Sequence, residues 1–222
     1  MTPETLAAVR AARAANRAVV LLTWLKDGRQ QLVTAGDAPA ELAPAVARAL
    51  SSDRAEVVGD GLFVEPFNPP LRLIIVGAVH VSAPLAAMAR LAGFAVVIVE
   101  PRRAWATAER FPGETLVQTW PDEALRELAP DARTAVVTLT HDPKLDDPAL
   151  LEALASPAFY IGCLGSPKTH ASRLERLAEA GVARDALARL HGPIGLPIHA
   201  RSPAEIAVSI MAEIVSDLRK GP

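Results

Sequence analysis

The chain has 222 residues, half of them hydrophobic, with a formal net charge of −2 and one cysteine. This length and apolar content predict a globular protein with one large domain, or a medium domain and a small appendage. The weak net charge and scarce aromatic residues exclude a nucleic-acid-binding role, and the single cysteine excludes internal disulfides and multi-cysteine metal sites. No segment is apolar for long enough to cross a bilayer, so we expect a cytoplasmic protein without a membrane partner.

The first 65 residues predict a small α+β segment. Helical patterns cover residues 5–15 and 39–50, and two strands at 18–25 and 31–34 form a hairpin around Asp27-Gly28. The proline-rich stretch at residues 65–70 cannot continue a helix or a central strand. We therefore expect two domains, residues 1–65 and 66–222.

Downstream, short apolar runs alternate with helical patterns. The predicted strands cover residues 71–76, 95–99, 115–117, 135–139 and 159–161, and the predicted helices 83–91, 121–128, 148–155 and 169–180. A last helix begins at the capping box Ser202-Pro203-Ala204-Glu205. This alternation predicts an α/β fold, a three-layer Rossmann-like parallel sheet covered by helices on both faces.

The first of these strands ends where dinucleotide-binding folds carry G-x-G-x-x-G. Only Gly77 is present, because Val79 and Ser82 occupy the second and third glycine positions. Glu100 ends the second strand, where an acid would bind a ribose hydroxyl, and Arg102 could contact a phosphate instead. Because the side chain of Val79 narrows the approach to a pyrophosphate, we favour a vestigial nucleotide fold over a working NAD site.

A second group of polar residues follows the first and fourth strands of the sheet. His80 lies just past the first strand, and Thr140, His141 and Asp142 follow the fourth. Carboxyl ends of parallel strands share one edge, so we expect these side chains to converge on one cleft. The alternatives are that His80 bonds a neighbouring carbonyl at a helix start, and that Asp142 caps a loop or helix while His141 is solvated.

The stretch from residue 161 to 170 predicts a strand that turns through glycines directly into a helix. Gly165 lies in the turn, Ser166 can cap the helix, and backbone N–H groups with Lys168 can bind a phosphate. Arg173 lies one helical turn further on and can reach the same anion. The alternatives are a junction without a ligand, and a solvated face shared by Arg173 and Arg176.

The remaining candidates carry weaker signals. We interpret Cys163, in the same turn, as a small buried filler rather than a reactive thiol. His191 and His199 lie in an irregular glycine- and proline-rich connection, but we predict no metal site there because no carboxylate or cysteine follows at ligand spacing. No arrangement of residues predicts a catalytic group.

Taken together, these windows resemble the XdhC/CoxI family over about residues 66–219. The matching motifs are Gly77-Ala78-Val79-His80-Val81, Val99-Glu100-Pro101-Arg102, Leu139-Thr140-His141-Asp142-Pro143-Lys144, Tyr160-Ile161-Gly162 with Leu164-Gly165-Ser166, and His191-Gly192-Pro193-Ile194-Gly195-Leu196. The chain departs from the family at three positions, where Val79 replaces a glycine, Glu100 an aspartate and His199 a glycine. It also lacks an S-G-G-C-V-type N-terminal segment, so residues 1–65 resemble a reduced N-terminal domain.

The resemblance implies an accessory protein that carries the molybdenum cofactor, a pterin with a terminal phosphate, and helps to insert it into a xanthine-dehydrogenase-type molybdenum hydroxylase. It implies no enzymatic role, and NAD(P) is not expected. Further partners would be a sulfur-transfer enzyme and a second copy in a homodimer. The expected ligand contacts are Gly77, His80, Glu100, Thr140, His141, Asp142, Gly165, Ser166, Lys168 and Arg173. The alternatives are an NAD(P)-dependent oxidoreductase and a ligand-free docking scaffold for a client enzyme.

Overall fold

Residues 1–220 are described by the computed structural model, and their backbone contacts divide into two units, Met1–Pro69 and a second from Pro70 to Lys220. Residues 221 and 222, the end of the expected second domain, lie outside the described residues. Within the described chain, no helix combines the length and hydropathy that a membrane span requires.

The first unit is a four-stranded antiparallel sheet with two helices. Its elements are α1 Pro3–Ala14, β1 Val19–Trp24, β2 Gln30–Val33, α2 Ala43–Ser52, β3 Glu56–Val58 and β4 Leu62–Phe67. The strand order is β2-β1-β4-β3. One face of the sheet buries Val20, Leu22 and Val64 against Val46 and Ala49 of α2.

Three features of this unit differ from the sequence prediction. The structure adds β3 and β4, and helix α2 begins at Ala43 rather than at residue 39. Pro66 lies inside β4, opposite Val20 of β1, although proline was expected to end regular structure. It is tolerated there because β3 pairs with β4 only as far as Val64, so Pro66 has a neighbouring strand on one side only. The boundary expected after residue 65 therefore falls within a strand, whereas the contacts divide the chain after Pro69.

The second unit is a six-stranded parallel sheet, which confirms the predicted Rossmann-like fold. Its strands lie in the order β10-β9-β8-β5-β6-β7. Its elements in chain order are β5 Leu71–Val76, α3 Ser82–Leu91, β6 Phe94–Val99, β7 Thr115–Val117, α4 Pro121–Leu128, β8 Thr134–Thr138, α5 Pro143–Ala155, β9 Tyr160–Cys163, α6 Pro167–Glu179, α7 Arg184–Leu187, β10 Leu190–His191 and α8 Pro203–Arg219.

Side chains that alternate along the strands fill two cores. Ile75 faces Leu85 of α3 and Ile210 of α8, whereas Ile74 faces Leu150 of α5 and the helices beside it. The predicted capping box of α8 is present, because Ser202 accepts from the Glu205 N–H and Glu205 accepts from the Ser202 N–H. Helix α5 begins at Pro143 and not at residue 148, because Asp142 already caps it there.

Candidate functional site

The strand order reverses between β5 and β8, and this reversal defines where a ligand can bind. Strands β5, β8 and β9 are parallel neighbours. Val76 of β5 lies opposite Thr138 of β8, and Thr138 lies opposite Cys163 of β9. The segments that follow them, beginning at Gly77, Leu139 and Leu164, therefore lie on one edge of the sheet. In open α/β sheets, ligands bind at the carboxyl edge beside such a reversal. We call its two parts the β5–β6 side and the β8–β9 side.

Gly77 joins the two sides by close packing. Its φ is +103°, and a Cβ atom there would lie 2.5 Å from Cγ2 of Thr140. A larger residue would strain the backbone and push the loop after β8 away. Gly77 therefore holds the loops after β5 and β8 together.

On the β5–β6 side, Glu100 is fully buried and fully hydrogen-bonded. One carboxylate oxygen accepts from the Ala78 N–H at 3.0 Å and Nη2 of Arg102 at 2.8 Å, and the other from Nε and the N–H of Arg102 at 2.7 and 3.0 Å. Burial alone would raise the pKa of Glu100, but these hydrogen bonds outweigh it and lower the pKa. No acceptor position of the carboxylate is left for a ribose hydroxyl, so Glu100 holds the turn after Gly77.

His80 is exposed on this same side of the edge. It lines a pocket of about 360 Å³ together with Val79, Trp105 and Arg110. His141 lines a different pocket, on the β8–β9 side. The convergence of the two histidines on one cleft therefore stays a prediction.

The loop after β8 is built by internal hydrogen bonds. Asp142 caps α5 by accepting from the Lys144 N–H at 3.0 Å, as its alternative interpretation predicted. Thr140 Oγ1 accepts from the Asp142 N–H at 3.0 Å and lies 2.7 Å from Oδ1 of Asp146, to which it donates. His141 is exposed, with a φ of +62°. Of this loop, only His141 and Pro143 line the pocket on the β8–β9 side.

The turn from β9 into α6 has the cap that the sequence predicted. Ser166 Oγ accepts from the Thr169 N–H at 3.1 Å, and Pro167 occupies the first helical position. Proline has no N–H and the cap occupies that of Thr169, so within the described chain the Lys168 N–H remains the unpaired amide of the first turn. Fewer main-chain donors are free here than the sequence suggested. An anion at this turn would depend more on side chains.

Arg173 supplies such a side chain. It is 2% exposed, so the alternative of a solvated face is wrong. Its Nη2 donates to the Leu164 carbonyl at 3.0 Å, whereas Nε and Nη1 are buried without a hydrogen bond. A Cβ atom on Gly165 would lie 3.6 Å from Nη1 and 3.2 Å from Thr169. The unpaired Nη1 therefore lies beside the turn, where even a Cβ atom would crowd Thr169.

Asp146, which the sequence analysis did not identify, is the partner of this arginine. Its Oδ2 lies 3.5 Å from Nη2 of Arg173 and has no hydrogen bond. Burial raises the pKa of Asp146 more than the hydrogen bond from Thr140 and the charge of Arg173 lower it. The available signal was its spacing, one helical turn after the capping residue Asp142.

Unsatisfied polar atoms are concentrated on the β8–β9 side. Among residues 1–220, four of the six buried side-chain atoms without a hydrogen bond belong to Thr138, Asp146 and Arg173. The adjoining pocket, of about 260 Å³, is lined by His141, Pro143, Lys168, Thr169, Ser172, Arg173 and Arg176. Arg176 is held by Asp147 at 2.6 and 3.0 Å. Of the cations that line this pocket, Arg173 has two nitrogens that are buried without a hydrogen bond, and Lys168 is exposed.

Two other polar candidates, Cys163 and His191, do not line this pocket. Cys163 is buried, and burial raises the pKa of its thiol to about 11, which confirms the filler interpretation. His191 has carboxylates that the sequence spacing did not reveal, with Nε2 2.8 Å from Asp217 and Nδ1 3.3 Å from Glu213. Even so, the described residues contain no group of three or more histidine, cysteine or acidic side chains placed to hold a metal ion.

Comparisons with known proteins give one consistent match. A model of the XdhC Rossmann domain family matches residues 73–214. A probable subunit of xanthine dehydrogenase from Bacillus subtilis (strain 168) is 32% identical over 160 residues, covering 72% of this chain and 46% of that protein. The molybdenum cofactor insertion chaperone PaoD of Escherichia coli (strain K12) is 31% identical over 150 residues, covering 68% of this chain and 41% of PaoD.

One solved structure supports the fold over most of the chain. The crystal structure of a xanthine dehydrogenase from Bacillus halodurans aligns with a TM-score of 0.72 and 24% identity, covering 97% of this chain and 64% of that one. At this identity the likeness shows the fold alone. The chain spans less than half the length of the two curated relatives, at 46% and 41%.

Proposed function

Because the chain belongs to the XdhC Rossmann domain family, we propose that it binds the molybdenum cofactor as cargo and assists its maturation or insertion into a xanthine-dehydrogenase-type molybdenum hydroxylase. The names of two relatives, one a probable part of a xanthine dehydrogenase and the other a molybdenum cofactor insertion chaperone, support this proposal. The cofactor is the ligand that the protein carries, and no chemical step on it is assigned to this chain.

The observation that carries the proposal is the unsatisfied guanidinium of Arg173. A buried charge with two unpaired nitrogens is costly unless something completes its hydrogen bonds. The terminal phosphate of the cofactor provides acceptor oxygens and negative charge, and the pocket that Arg173 lines is the space beside this guanidinium. Lys168 would add a second, exposed positive charge at the start of α6.

The remaining residues of this side would orient the ligand. Thr140 is held by Asp146, so the loop after β8 keeps His141 at the rim of the pocket, where a polar edge of the pterin could be met. Ser166 is engaged in the helix cap and would position the turn rather than contact the ligand. Such an arrangement suits a carrier, which must bind and release without covalent chemistry.

Two observations support leaving NAD(P) out of the proposal. Val79 stands where close backbone approach to a pyrophosphate needs glycine, and the carboxylate of Glu100 is fully occupied by Ala78 and Arg102. The client enzyme and a sulfur-transfer enzyme remain proposed partners, and a homodimer remains a proposed assembly, in the cytoplasm.

The proposal is tested by expressing the chain in a host that makes the cofactor and assaying the denatured protein for fluorescence of oxidised pterin. We expect a signal above that of a host with empty vector. Arg173→Met, which keeps the volume but removes the donors, should lower the signal by about tenfold or more. The exposed Arg126→Met is the matched control and should retain it.

Two outcomes would contradict the proposal. One is a wild-type signal no higher than the empty-vector blank while a client enzyme co-purifies, which would favour the docking scaffold. The other is an Arg173→Met protein that unfolds cooperatively and carries as much pterin as wild type. Because Arg173 is buried, the exposed Lys168→Gln variant serves as a second reporter that leaves the fold intact.

A further inference from the structure

The buried pair of Asp146 and Arg173 connects the pocket on the β8–β9 side with a group that can take up a proton. Arg173 lines this pocket, whereas Asp146 does not. Both side chains are buried, and Oδ2 of Asp146 lies 3.5 Å from Nη2 of Arg173. An anion in the pocket therefore meets Arg173 directly and acts on Asp146 through the arginine.

Without a ligand, the guanidinium of Arg173 is the charge that stabilises the ionised carboxylate of Asp146. Oδ1 accepts a hydrogen bond from Thr140 at 2.7 Å, but Oδ2 has none and depends on the positive charge beside it. An anion beside Arg173 neutralises that charge and brings a second negative charge near the carboxylate. A buried carboxylate in this position is stabilised by a proton, because burial disfavours its charged form.

We propose that an anion binds beside Arg173 together with one proton, which Asp146 takes up from solvent, and that loss of this proton promotes release of the anion. This inference rests on the proposed function, because it concerns the same pocket and the same phosphate-bearing cargo. The proton bonds to Oδ2, the carboxylate oxygen without a hydrogen bond, and no other covalent bond changes. Burial already raises the pKa of Asp146 in the free protein, which brings its protonation closer to neutral pH.

The groups around Asp146 have to be separated from it. The charged or titratable groups that face it are Asp147 of its own helix, His141, Cys163, Arg173 and Arg176. Burial raises the pKa of Cys163 to about 11, so its thiol keeps its proton at neutral pH. His141 lines the pocket and would attract an anion when protonated, and burial and Arg173 lower the pKa of His170. The two histidines are therefore the competing proton acceptors.

The test measures sulfate affinity of the whole chain by isothermal titration calorimetry between about pH 5 and pH 8, where sulfate itself does not titrate. Wild-type affinity should fall by about tenfold as pH rises across this range. Asp146→Asn keeps the shape but cannot ionise, so its affinity should change by less than about twofold. His141→Asn is the matched control and should keep the tenfold fall, because asparagine tolerates the positive φ of this position.

A second measurement needs no substitution. Calorimetry in two buffers of equal pH and different heats of ionisation counts the protons that accompany binding. Wild type should take up between about half a proton and one proton per sulfate near neutral pH. If Asp146→Asn does not fold, this count decides the inference.

Several results would overturn the inference. These are a wild-type affinity that does not change with pH, binding without proton uptake, a fall that persists in folded Asp146→Asn, or a fall that disappears in His141→Asn. In each of these cases sulfate still binds, so the coupling fails while the anion site of the proposed function stands. No saturable sulfate binding at any pH, together with a pterin signal at the empty-vector blank, would contradict both.

Discussion

Each side of the carboxyl edge pairs a buried carboxylate with an arginine, but the two pairs differ in how completely they are hydrogen-bonded. Glu100 accepts four hydrogen bonds, three of them from Arg102, whose side chain is 42% exposed. Asp146 and Arg173 are each 2% exposed, lie 3.5 Å apart, and leave three polar atoms unsatisfied. A buried carboxylate beside an arginine thus has two forms here, because the first pair is satisfied and fixes a loop, whereas the second leaves buried polar atoms without partners.

The difference follows from how each pair is assembled. Glu100 and Arg102 are near neighbours in the chain at the end of β6, so the arginine can fold back and reach the carboxylate with its backbone and side chain. Asp146 and Arg173 lie on α5 and α6, so their separation is fixed by the packing of two helices. The two helices therefore set the distance between Asp146 and Arg173, at which three polar atoms are left without a hydrogen bond.

The largest expected effect is on the satisfied side. Glu100→Gln should lower the free energy of unfolding by about 3 kcal/mol at pH 7, because the new amide turns a donor towards the donors of Ala78 or Arg102. Urea unfolding followed by circular dichroism measures the change. Glu123→Gln, an exposed position on α4, is the control and should change stability by less than about 0.5 kcal/mol. A loss no larger than that of the control would mean that the hydrogen bonds to Glu100 contribute little to the free energy of unfolding.

The next effect concerns anion affinity on the unsatisfied side. Asp146→Asn keeps the shape and can keep a hydrogen bond to Thr140, but it removes the negative charge that competes for Arg173. Affinity for inorganic phosphate should rise by about tenfold, which isothermal titration calorimetry with phosphate measures. Weaker phosphate binding would show that Asp146 helps to bind the anion, and would break the comparison.

The fold could be predicted from the sequence where the signals are local. Apolar runs and glycine turns predicted the parallel sheet of the second unit, and the same pattern placed Gly77, Thr140 and Gly165 at one edge. β4 was missed because its stability comes from pairing with β1, and Pro66 conceals it in the sequence. Non-local pairing overrides local propensity in sheets.

In the candidate site, too, local features were predictable from the sequence and non-local contacts were not. The caps formed by Asp142 and Ser166 depend on neighbouring residues. The sequence predicted the cap at Ser166 and gave the cap at Asp142 as an alternative. The sequence also pointed to Glu100 and Arg173 but not to their partners, since the burial of Arg173 beside Asp146 depends on how α6 packs against α5. Whether a buried polar side chain finds hydrogen-bond partners depends on tertiary packing, and the spacing of residues in the sequence does not predict it.

The third effect is a pair of pH dependences with opposite sign. The pKa of Glu100 lies below its ordinary value of 4.5. The contribution of its charged form to the free energy of unfolding is therefore complete above pH 4.5 and is lost as pH falls through the folded-state pKa. The pKa of Asp146 lies above its ordinary value of 3.8. The contribution of its protonated form to the free energy of unfolding is therefore present below pH 3.8 and is lost as pH rises through the folded-state pKa.

These contributions are separated by measuring the free energy of unfolding between about pH 4 and pH 7 for wild type, Glu100→Gln and Asp146→Asn. With rising pH, wild type should gain stability relative to Glu100→Gln and lose stability relative to Asp146→Asn. The doubly substituted protein should show neither trend. Slopes of the same sign for the two single variants would mean that the two carboxylates do not differ in the way the hydrogen bonds indicate.

The smallest effect tests how far the exposed cation contributes beside the buried one. Lys168 lines the pocket at the start of α6, but water screens its charge, so Lys168→Gln should weaken phosphate by about threefold. The effect should shrink as salt is added, whereas the effect of Asp146→Asn should persist, because a buried charge is screened much less. Arg103→Gln, an exposed position on the β5–β6 side, should leave phosphate affinity unchanged. If Lys168→Gln abolished binding at all salt concentrations, the exposed lysine and not the buried Arg173 would dominate the anion site.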